Sequence, residues 1–419
     1  MTATALPPIA YVVGDYPAPS HAFVQREILG LRARGADVHT FSIRRADATS
    51  LLTDVDRDED ARTEALRPIR PRAVAHAFGR ALRARPGRLL AALRLSQRQV
   101  RGGPRARLWG LFYLAEALLV WERCTEAGVR HLHAHHLAHS ADIAMLAAAL
   151  GSDRADPWTW SFTMHGPDEF SDVPRLRLDV KVADAAAVMC ISHFCRSQIM
   201  GHVPAADWDK LHLVRCGVDS ARFAPADAQS PAGSLRVLCV GRLVAVKGQA
   251  LLIEATATLR ARGVDVVTTL VGRGPERERL EALAAELGAT EHVRFTGALG
   301  QDDILTQYHA ADAFCLPSFA EGVPVVLMEA MSCELPVVTT RIMGIPELVQ
   351  DEAGGLLVAP GQVETLADAL ERLAADPELR ARLGRGGRAR VQEEFEIADC
   401  VEQLVRALAS ATSDAVVNV

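Results

Sequence analysis

Short strand-like runs alternate with helical segments twice along this chain of 419 residues. The runs of the first half are IAYVVG, DVHTFSI, RHLHAH, TWSFTMH, AAVMCIS and LHLVRCG. Those of the second half are LRVLCVGR, DVVTTLVG, HVRFTG, DAFCLP, PVVTT and GGLLV. Strands that alternate with helices are typical of parallel sheets covered by helices. The pattern therefore predicts an α/β protein with two doubly wound domains, whose ligands bind at the carboxyl ends of the strands in a cleft between the domains.

A segment rich in Pro, Ala, Gly and Ser, from Ala224 to Ser234, separates the two halves. Such a composition is typical of a linker between domains. The chain is also longer than the roughly 250–300 residues at which a single hydrophobic core stops growing. We therefore predict an N-terminal domain over residues 1–223 and a C-terminal domain over residues 235–394.

The composition, with 49% hydrophobic and 23% charged residues, is that of an ordinary soluble globular protein. The N-terminal segment MTATALPPIAYVVGDYP has no basic region of the kind that begins a secretion signal. The longest apolar stretch, from Leu108 to Trp121, is shorter than a membrane span and contains Glu116. The eight cysteines form no CxxC pair, which favours a reducing compartment. We expect a cytoplasmic protein.

A basic stretch, from Arg67 to Arg107, contains twelve arginines and no Asp or Glu, although the whole chain has a net charge of −6. One interpretation is a solvated face of two Arg-rich helices. The other is a docking surface for anionic lipid headgroups or for a phosphate-bearing acceptor, which would place the protein at the inner face of a membrane. Nucleic acid is disfavoured as a partner because the stretch has almost no aromatic residues to stack on bases.

The segment VGRLVAVKGQALLIEA follows the first strand of the second half. It places Gly241, Arg242 and Lys247 between a strand and a helix, where two cations can meet phosphate groups. Lys247 stands out because the chain has only three lysines among its 46 basic residues. The chain has no GxxxxGK[ST] motif and no GxGxxG after a first strand, which disfavours ordinary NTPases and dinucleotide enzymes. The alternative interpretation is a surface turn with solvated charges.

The segment LPSFAEGVPVVLMEAMSCELPVVTT predicts a strand, a turn and then a helix. Pro324 suits the first turn of that helix, and Gly322 allows the backbone to approach a ligand closely. We expect the first backbone N–H groups, those of Val325, Val326 and Leu327, to bind an anion such as a diphosphate. The carboxylates of Glu321 and Glu329 would then accept hydrogen bonds from sugar hydroxyls on either side of the diphosphate. The alternative is that both glutamates are capping or surface residues.

Two other segments contain residues that metal ions prefer. TDVDRDED places Asp54 and Asp56 in an acidic run between helical segments, away from any strand end. HLHAHHLAHS spaces His135 and His139 four residues apart on an expected helix, without the glutamate of an HExxH motif and without a nearby cysteine. We interpret these histidines as hydrogen-bonded residues of a strand-to-helix junction, with acceptor binding as an alternative, and we predict no metal site.

Several motifs together resemble a known family. In the second half GRL, KG, LVGRGPERERLE, HVRFTG, LPSFAEGVPVVLMEAMSCELPVVTTRIMGIPELV and GGLLVAP look like the C-terminal domain of retaining glycosyltransferase family 4. In the first half YPAPSHAFVQREILGLRARG, HLHAHHLAHSADIAMLAAALG, FTMHGPDEF, CISHFCRSQI and VRCGVDSARFAP look like its branch of exopolysaccharide and colanic-acid-type sugar transferases. The resemblance covers nearly the whole chain. It implies the GT-B fold, in which two Rossmann-like domains face each other across a cleft.

The resemblance also implies an activity. Such an enzyme moves a hexose from a nucleoside-diphosphate sugar, here preferably a UDP-sugar and alternatively a GDP-sugar, to an acceptor hydroxyl with retention of configuration. It needs no metal and no other cofactor. The acceptor would be a glycan, a lipid-linked glycan or a small molecule, in polysaccharide, glycolipid or natural-product biosynthesis. The resemblance further implies that a C-terminal helix, residues 395–412, returns to the N-terminal domain.

Residue roles can be transferred only where this sequence matches the family motifs. The resemblance implies that Arg242 and Lys247 neutralise the diphosphate leaving group, and that Glu329 binds the ribose. It implies that Glu321 contacts the donor sugar. His165, in FTMHG, would lie beside the donor sugar and the acceptor.

Two further positions come from the same resemblance. The segment HVRFTG would lie beside the nucleobase, with Arg294 as the candidate contact. Gly14, in VVGDYPAPS, would belong to the loop near the donor phosphate.

Three other functions compete with glycosyl transfer. UDP-N-acetylglucosamine 2-epimerases share the architecture and also bind a diphosphate. A glycan phosphorylase would need pyridoxal phosphate on a lysine, for which Lys247 is the candidate. A lectin-like protein without activity would not need the set of charged residues described above.

Overall fold

The computed structural model describes residues 6–18, 21–48, 51–100, 102–226 and 233–417. The chain divides into two compact units. The first unit combines Met1–Arg215 with Cys400–Val419, and the second unit is Cys216–Asp399. Residues 227–232 of the predicted linker lie outside the described residues.

The first unit contains a parallel sheet of seven strands. These are β1 (Ile9–Asp15), β2 (Val38–Arg44), β3 (Thr63–Ala65), β4 (His131–His135), β5 (Thr159–Met164), β6 (Ala187–Cys190) and β7 (Leu211–Leu213). They lie in the order β3-β2-β1-β4-β5-β6-β7. The six predicted strands of this half are all present. The short edge strand β3 was not predicted, since three residues are too few to show a pattern.

The second unit contains a parallel sheet of six strands, each of which was predicted. These are β8 (Leu235–Val240), β9 (Val266–Val271), β10 (Val293–Gly297), β11 (Ala313–Leu316), β12 (Val337–Thr340) and β13 (Gly355–Val358). They lie in the order β10-β9-β8-β11-β12-β13. The strand order therefore reverses between β8 and β11, as it does between β1 and β4 in the first unit. Ligands of open α/β sheets bind beside such a reversal.

Helices connect the strands of both sheets. Those before the second sheet are α1 (Ala22–Ala33), α2 (Asp54–Arg62), α3 (Pro71–Ala84), α4 (Pro86–Arg98), α5 (Pro104–Ala127), α6 (His139–Gly151), α7 (Val173–Leu176), α8 (Leu178–Asp184) and α9 (His193–Met200). The later ones are α10 (Gln249–Ala261), α11 (Arg277–Glu286), α12 (Gln301–Ala310), α13 (Val325–Ser332), α14 (Ile345–Leu348), α15 (Val363–Ala375), α16 (Pro377–Glu394) and α17 (Ile397–Val417). In the part of the chain that the structure describes, none of these helices combines the length and apolarity needed to cross a bilayer.

The acidic segment around Asp54 and Asp56 has a structural role. Thr53 accepts a hydrogen bond from the Asp56 N–H, and the Asp56 carboxylate accepts one from the Thr53 N–H. This reciprocal arrangement is a capping box, which satisfies two N–H groups at the start of α2. The Asp54 carboxylate pairs instead with Arg57, 2.5 Å away. Both carboxylates are thus engaged in organising the helix.

The interpretation of this histidine segment as a strand-to-helix junction is confirmed. His135 is the last residue of β4, and His139 is the first residue of α6. Between them His136 has a φ of 71°, a left-handed conformation that turns the chain and ends the strand. The spacing of four residues therefore does not place the two imidazoles on one helical face.

Candidate functional site

The turn after β8 places two predicted cations at the strand reversal of the second unit. Gly241 follows β8, and a single 3-10 turn, Ala245–Lys247, leads into α10. Gly248 joins the two with a φ of 66°, and a Cβ there would lie 2.2 Å from the Pro317 carbonyl oxygen. Only glycine fits this position, because it needs both a left-handed backbone and close approach to the end of β11. The turn is thereby held beside the segment that follows β11.

Lys247 and Glu321, which are 74 residues apart in the chain, form an ion pair. The Lys247 Nζ lies 2.6 Å from Glu321 Oε1, with side-chain exposures of 19% and 9%. The Ser318 hydroxyl donates to the same carboxylate oxygen at 2.7 Å. The structure thus brings these two predicted site residues together, although no local pattern in the sequence indicates that they would bind each other.

Arg242 differs from Lys247 in its surroundings. Its side chain is exposed and forms no ion pair with the described part of the chain. Its backbone carbonyl accepts a hydrogen bond from the Gln249 side chain at 2.8 Å, which ties the turn to the start of α10. The guanidinium is therefore available to an anionic ligand while its backbone is held in place.

Helix α13 begins at Val325, as predicted, after Pro324. Backbone N–H groups at the start of a helix have no intrahelical acceptor, which leaves those of Val325 and Val326 for a ligand. The prediction for Leu327 needs correction, because its N–H donates to the Pro324 carbonyl at 3.1 Å. Two backbone N–H groups, those of Val325 and Val326, therefore remain at the predicted anion site instead of three.

Glu329 lies on the inner side of α13 and is buried. One of its carboxylate oxygens, Oε2, accepts a hydrogen bond from the Tyr308 hydroxyl at 2.9 Å. Tyr308, on α12, is also fully buried, and sequence reasoning did not single it out. A buried tyrosine aimed at a carboxylate orients that carboxylate, so Glu329 is not one of the surface glutamates of the alternative interpretation.

The turn before α13 is packed tightly against a second segment. A Cβ on Gly344 would lie 2.4 Å from the Gly322 carbonyl oxygen, so only glycine fits there without a shift. The preceding residue, Met343, has a φ of 43°, which is unusual for a residue with a side chain. Sequence analysis did not identify these two positions, although the repeated glycines of this half were a signal.

Arg294 is not brought to the strand reversal. It is the second residue of β10, an edge strand that ends at Gly297. Three residues of strand separate it from the carboxyl edge, about 10 Å at the usual rise per residue. Its side chain is exposed.

Gly14 is the penultimate residue of β1, and a Cβ there would meet nothing within 4 Å. No contact requires glycine at this position. Of the predicted loop VVGDYPAPS, Pro19 and Ser20 lie outside the described residues.

His165 follows β5 in the first unit and belongs to a chain of hydrogen bonds. Its Nε2 lies 2.7 Å from His135 Nδ1, and His135 Nε2 lies 3.2 Å from Glu27 Oε1. The Tyr11 hydroxyl donates a hydrogen bond to the same glutamate oxygen at 2.6 Å. An ionised carboxylate can only accept, so His135 donates from Nε2 and, when neutral, accepts at Nδ1 from His165. Glu27 and His135 therefore set the tautomer of His165.

Burial keeps His165 uncharged. Removal from water lowers its pKa well below the ordinary value, and the neighbouring imidazoles of His136 and His135 lower it further. A neutral imidazole with a defined tautomer can accept or donate one specified hydrogen bond.

Glu169 holds the loop that carries His165. Its carboxylate accepts hydrogen bonds from the N–H groups of His165 (2.6 Å), Gly166 (3.1 Å) and Leu137 (2.5 Å). Burial raises its pKa, but the interaction with His136 and these backbone donors outweigh burial, so the pKa is lowered overall. Sequence analysis passed over Glu169, although it lies in the quoted segment FTMHGPDEF.

The same sheet face carries a buried ladder of histidines and hydroxyls. His131 contacts Thr159 and Ser161, and His133 contacts Ser161 and Thr163, at 2.7–3.0 Å. Among the described residues, the one group that could hold a metal ion is formed by Glu27, His133 and His135, whose ligand atoms lie within 4.8 Å of one another. Each nitrogen of His133 already has a hydroxyl partner. The absence of a metal remains a prediction.

The burial of His131 makes the free energy of unfolding depend on pH. Burial lowers its pKa from 6.5 to about 3. Between these pH values the unfolded chain binds a proton that the folded chain does not, so the free energy of unfolding falls as the pH falls below about 6.5. We expect His131 to contribute a loss of about 1.4 kcal/mol between pH 7.5 and pH 5.5.

The comparison of wild type with His131→Gln by urea unfolding at these two pH values measures this contribution. Glutamine can still hydrogen-bond to Thr159 and Ser161 but does not titrate. The stability difference between the two proteins should therefore shrink by about 1.4 kcal/mol at the lower pH. An equal pH dependence in both proteins would show that His131 is not buried as a neutral residue.

The two parallel sheets define a protein with two Rossmann-like domains, in accordance with the prediction from the sequence. A sucrose-phosphate synthase from Thermosynechococcus elongatus has the same fold, with a TM-score of 0.75 and 23% identity, over 97% of this chain and 99% of that chain. The predicted GT-B fold is thereby confirmed. Residues 221–390 match the family model described as glycosyl transferases group 1, so the chain carries a domain of that family.

Three curated relatives agree with this family. A D-inositol 3-phosphate glycosyltransferase of Saccharomonospora viridis is 37% identical over 52% of this chain and 55% of its own length. A GDP-mannose-dependent alpha-(1-6)-phosphatidylinositol monomannoside mannosyltransferase of Mycolicibacterium smegmatis is 35% identical over 49% of this chain and 57% of its own length. A putative colanic acid biosynthesis glycosyltransferase of Escherichia coli, WcaL, is 35% identical over 45% of this chain and 48% of its own length. The chain spans about half the length of these relatives. The predicted resemblance to glycosyltransferases of the colanic-acid type is confirmed.

Proposed function

We propose that this protein is a glycosyltransferase that moves a hexose from a nucleoside-diphosphate sugar to an acceptor hydroxyl with retention of configuration. The observation that carries the proposal is the group of charged residues at the strand reversal of the second unit. Arg242, Lys247 and Glu321 lie there beside the start of α13. The glycosyl transferases group 1 domain contains all of them.

The leaving diphosphate explains why this group contains cations. Cleavage of the bond between the sugar and the diphosphate leaves negative charge on phosphate oxygens, and fixed positive charges stabilise that state more than the ground state. The Lys247 ammonium has three N–H donors, of which Glu321 takes one, so donors remain for phosphate oxygens. The exposed Arg242 guanidinium adds a second cation. In this proposal the protein supplies the positive charge and no metal is needed.

We assign Glu329 to the donor ribose. The Tyr308 hydroxyl orients its carboxylate, and a carboxylate can accept about four hydrogen bonds, enough for two ribose hydroxyls as well. We assign Glu321, through its turn before α13, to the donor sugar. We assign the segment HVRFTG, with Arg294 as the candidate contact, to the nucleobase, as the family resemblance implies.

We assign His165 to the acceptor side of the reaction. Its ring is neutral and its tautomer is set by His135 and Glu27. It can therefore form one directed hydrogen bond with a hydroxyl, which is what positioning an acceptor requires. Gly14 is proposed for the loop near the donor phosphate.

The nucleotide is proposed to be UDP, as the family resemblance implies. One observation favours GDP as a second candidate, since the mannosyltransferase relative is named as GDP-mannose-dependent. The proposed process is the synthesis of a polysaccharide, a glycolipid or a glycosylated natural product. The names of the relatives include both a phosphatidylinositol mannoside and colanic acid, which supports the first two.

Thermal unfolding with a panel of nucleotides tests the donor assignment. UDP, GDP, ADP and TDP are added singly to the full chain in the presence of EDTA. A nucleotide at about 100 times its dissociation constant should stabilise the protein by about 2.7 kcal/mol. We expect this response from UDP, or from GDP, and not from the others.

Two results would contradict the proposal. The first is the absence of a response to every nucleotide, which would favour the phosphorylase or the inactive lectin. The second is the release of free nucleoside diphosphate from a sugar nucleotide without any acceptor, which would favour the epimerase.

A further inference from the structure

The outward-facing surface of helices α3, α4 and α5 carries large apolar residues, unlike an ordinary water-facing helix surface. On α3, Ala77 and Ala81 face inward and are buried, whereas the larger Phe78 and Leu82 face outward. Leu82 is 51% exposed. A helix that packs against a core normally buries its large apolar residues and exposes its small and polar ones. The inversion shows that the outward residues of α3 serve something other than the core.

Helix α5 shows the same inversion over its first two turns. Gly110 faces inward, so close to α4 that a Cβ there would lie 2.5 Å from the Ser96 carbonyl oxygen. Arg105, Leu108, Trp109 and Phe112 are spaced at i, i+3, i+4 and i+7 and share the opposite face. Leu108 is 67% exposed, although burial of its apolar side chain would be energetically favourable.

The helices that carry these residues contact one another and form one surface. The single residue Arg85 joins α3 to α4, which makes a helical hairpin. The end of α4 lies against the start of α5, where the Gln97 side chain donates to the Arg107 carbonyl at 3.3 Å. Arg67 lies over the Phe112 ring, 5.0 Å from its centroid. We call the outward side of these three helices the docking face.

Unpaired positive charge accompanies the apolar residues. From Arg67 to Ala115 the chain contains no Asp or Glu. A few arginines of this stretch form ion pairs with acidic residues outside it, as Arg67 does with Glu116 at 2.7 Å. Several of the others are exposed and form no ion pair with any described residue; they include Arg72, Arg83, Arg94, Arg98, Arg105 and Arg107.

We propose that the docking face binds the surface of an anionic lipid bilayer. Arginines would contact lipid phosphates, while the outward leucines and aromatic rings enter the boundary between headgroups and acyl chains. A bilayer surface offers both chemistries over one broad area, whereas a soluble polyanion offers only charge. The inference rests on the composition of this face and does not depend on the donor assignment.

Flotation of the full chain with lipid vesicles tests the docking face. Vesicles of phosphatidylcholine are compared with vesicles that also contain phosphatidylglycerol, without nucleotide or acceptor. We expect the protein to float with the anionic vesicles only. Binding should weaken as salt rises, since the screening length falls from about 10 Å at 0.1 M to about 3 Å at 1 M.

Two variants separate charge from apolar contact. Arg94→Gln with Arg105→Gln removes two exposed charges of the docking face, each worth about a fivefold change in affinity, so binding should fall about 25-fold. The control, Arg279→Gln with Arg385→Gln, removes two exposed arginines of the second unit, of which Arg279 pairs with Glu276 at 2.5 Å, and should bind like wild type. Leu82→Gln with Leu108→Gln should weaken binding on the order of tenfold at unchanged thermal stability, because both side chains are already exposed.

Three outcomes would overturn the proposal. One is equal flotation with neutral and anionic vesicles, and another is wild-type binding by both test variants. The third is a dimer, seen by light scattering without vesicles, that the leucine variant dissociates; the face would then join two copies of this chain. Because flotation needs no nucleotide, each of these results leaves the proposed function standing, and an absent nucleotide response leaves the docking face standing.

Discussion

Replacement of Arg242 by alanine is expected to lower turnover by about 10²–10³ and to leave the thermal midpoint unchanged. The loss is that of one preorganised group that stabilises developing negative charge. Stability should not change because the Arg242 side chain is exposed and makes no ion pair with described residues. The measurement is the release of nucleoside diphosphate from the sugar nucleotide, with acceptor present, alongside a thermal melt.

A matched control distinguishes this effect from a general loss of surface charge. Arg385, on α16, is also exposed and unpaired within the described structure, and Arg385→Ala should keep wild-type turnover. Lys247→Ala should lower turnover as much as Arg242→Ala does, but it should also lower stability. Wild-type turnover in both site variants would disprove the assignment of the diphosphate to this turn.

Removal of either partner of the Lys247–Glu321 ion pair is expected to lower the free energy of unfolding by about 3–5 kcal/mol. The reason is that the remaining partner is a charge held away from water without its counter-ion. The double variant Lys247→Met with Glu321→Leu should recover more than half of this loss, since replacement of a buried pair by apolar residues is often nearly neutral. Urea unfolding of the four proteins gives the coupling energy.

The pair Glu402 and Arg406 on α17 provides the comparison for this cycle. Its side chains are 48% and 73% exposed, and its atoms lie 3.2 Å apart. An exposed pair at this helical spacing should show a coupling of only about 0.3–0.5 kcal/mol. Additive effects at Lys247 and Glu321, with no more coupling than in the surface pair, would show that the two residues do not depend on each other.

Much of the fold was predictable because its signals are local. Each of the twelve predicted strands is present, since an apolar run between turn residues is visible within a few positions. The start of α13 at Val325 was also predictable, because Pro324 restricts the backbone just before it. The edge strand β3 was missed because it is too short to carry a pattern.

The site was predictable as a set of residues but not as a set of contacts. Arg242 and Lys247 were found because they follow a strand end, and Glu321 and Glu329 were found because they flank the predicted start of a helix. The pairing of Lys247 with Glu321 was not found, nor was the hydrogen bond from Tyr308 to Glu329. The interpretation of His135 and His139 as residues of a strand-to-helix junction was correct, whereas the left-handed turn at His136 that ends the strand was not predicted.

The sequence by itself determined the order and type of the elements and the composition of the strand ends, since these depend on residues a few positions apart. Only the tertiary structure decided which partner each charged or polar group has. Glu27, on the helix α1 that follows β1, and His135, at the end of β4, are 108 residues apart and meet because β1 and β4 are neighbours in the sheet. It likewise decided that Phe78 and Leu108 face outward, because which side of a helix is buried depends on what the rest of the chain packs against it.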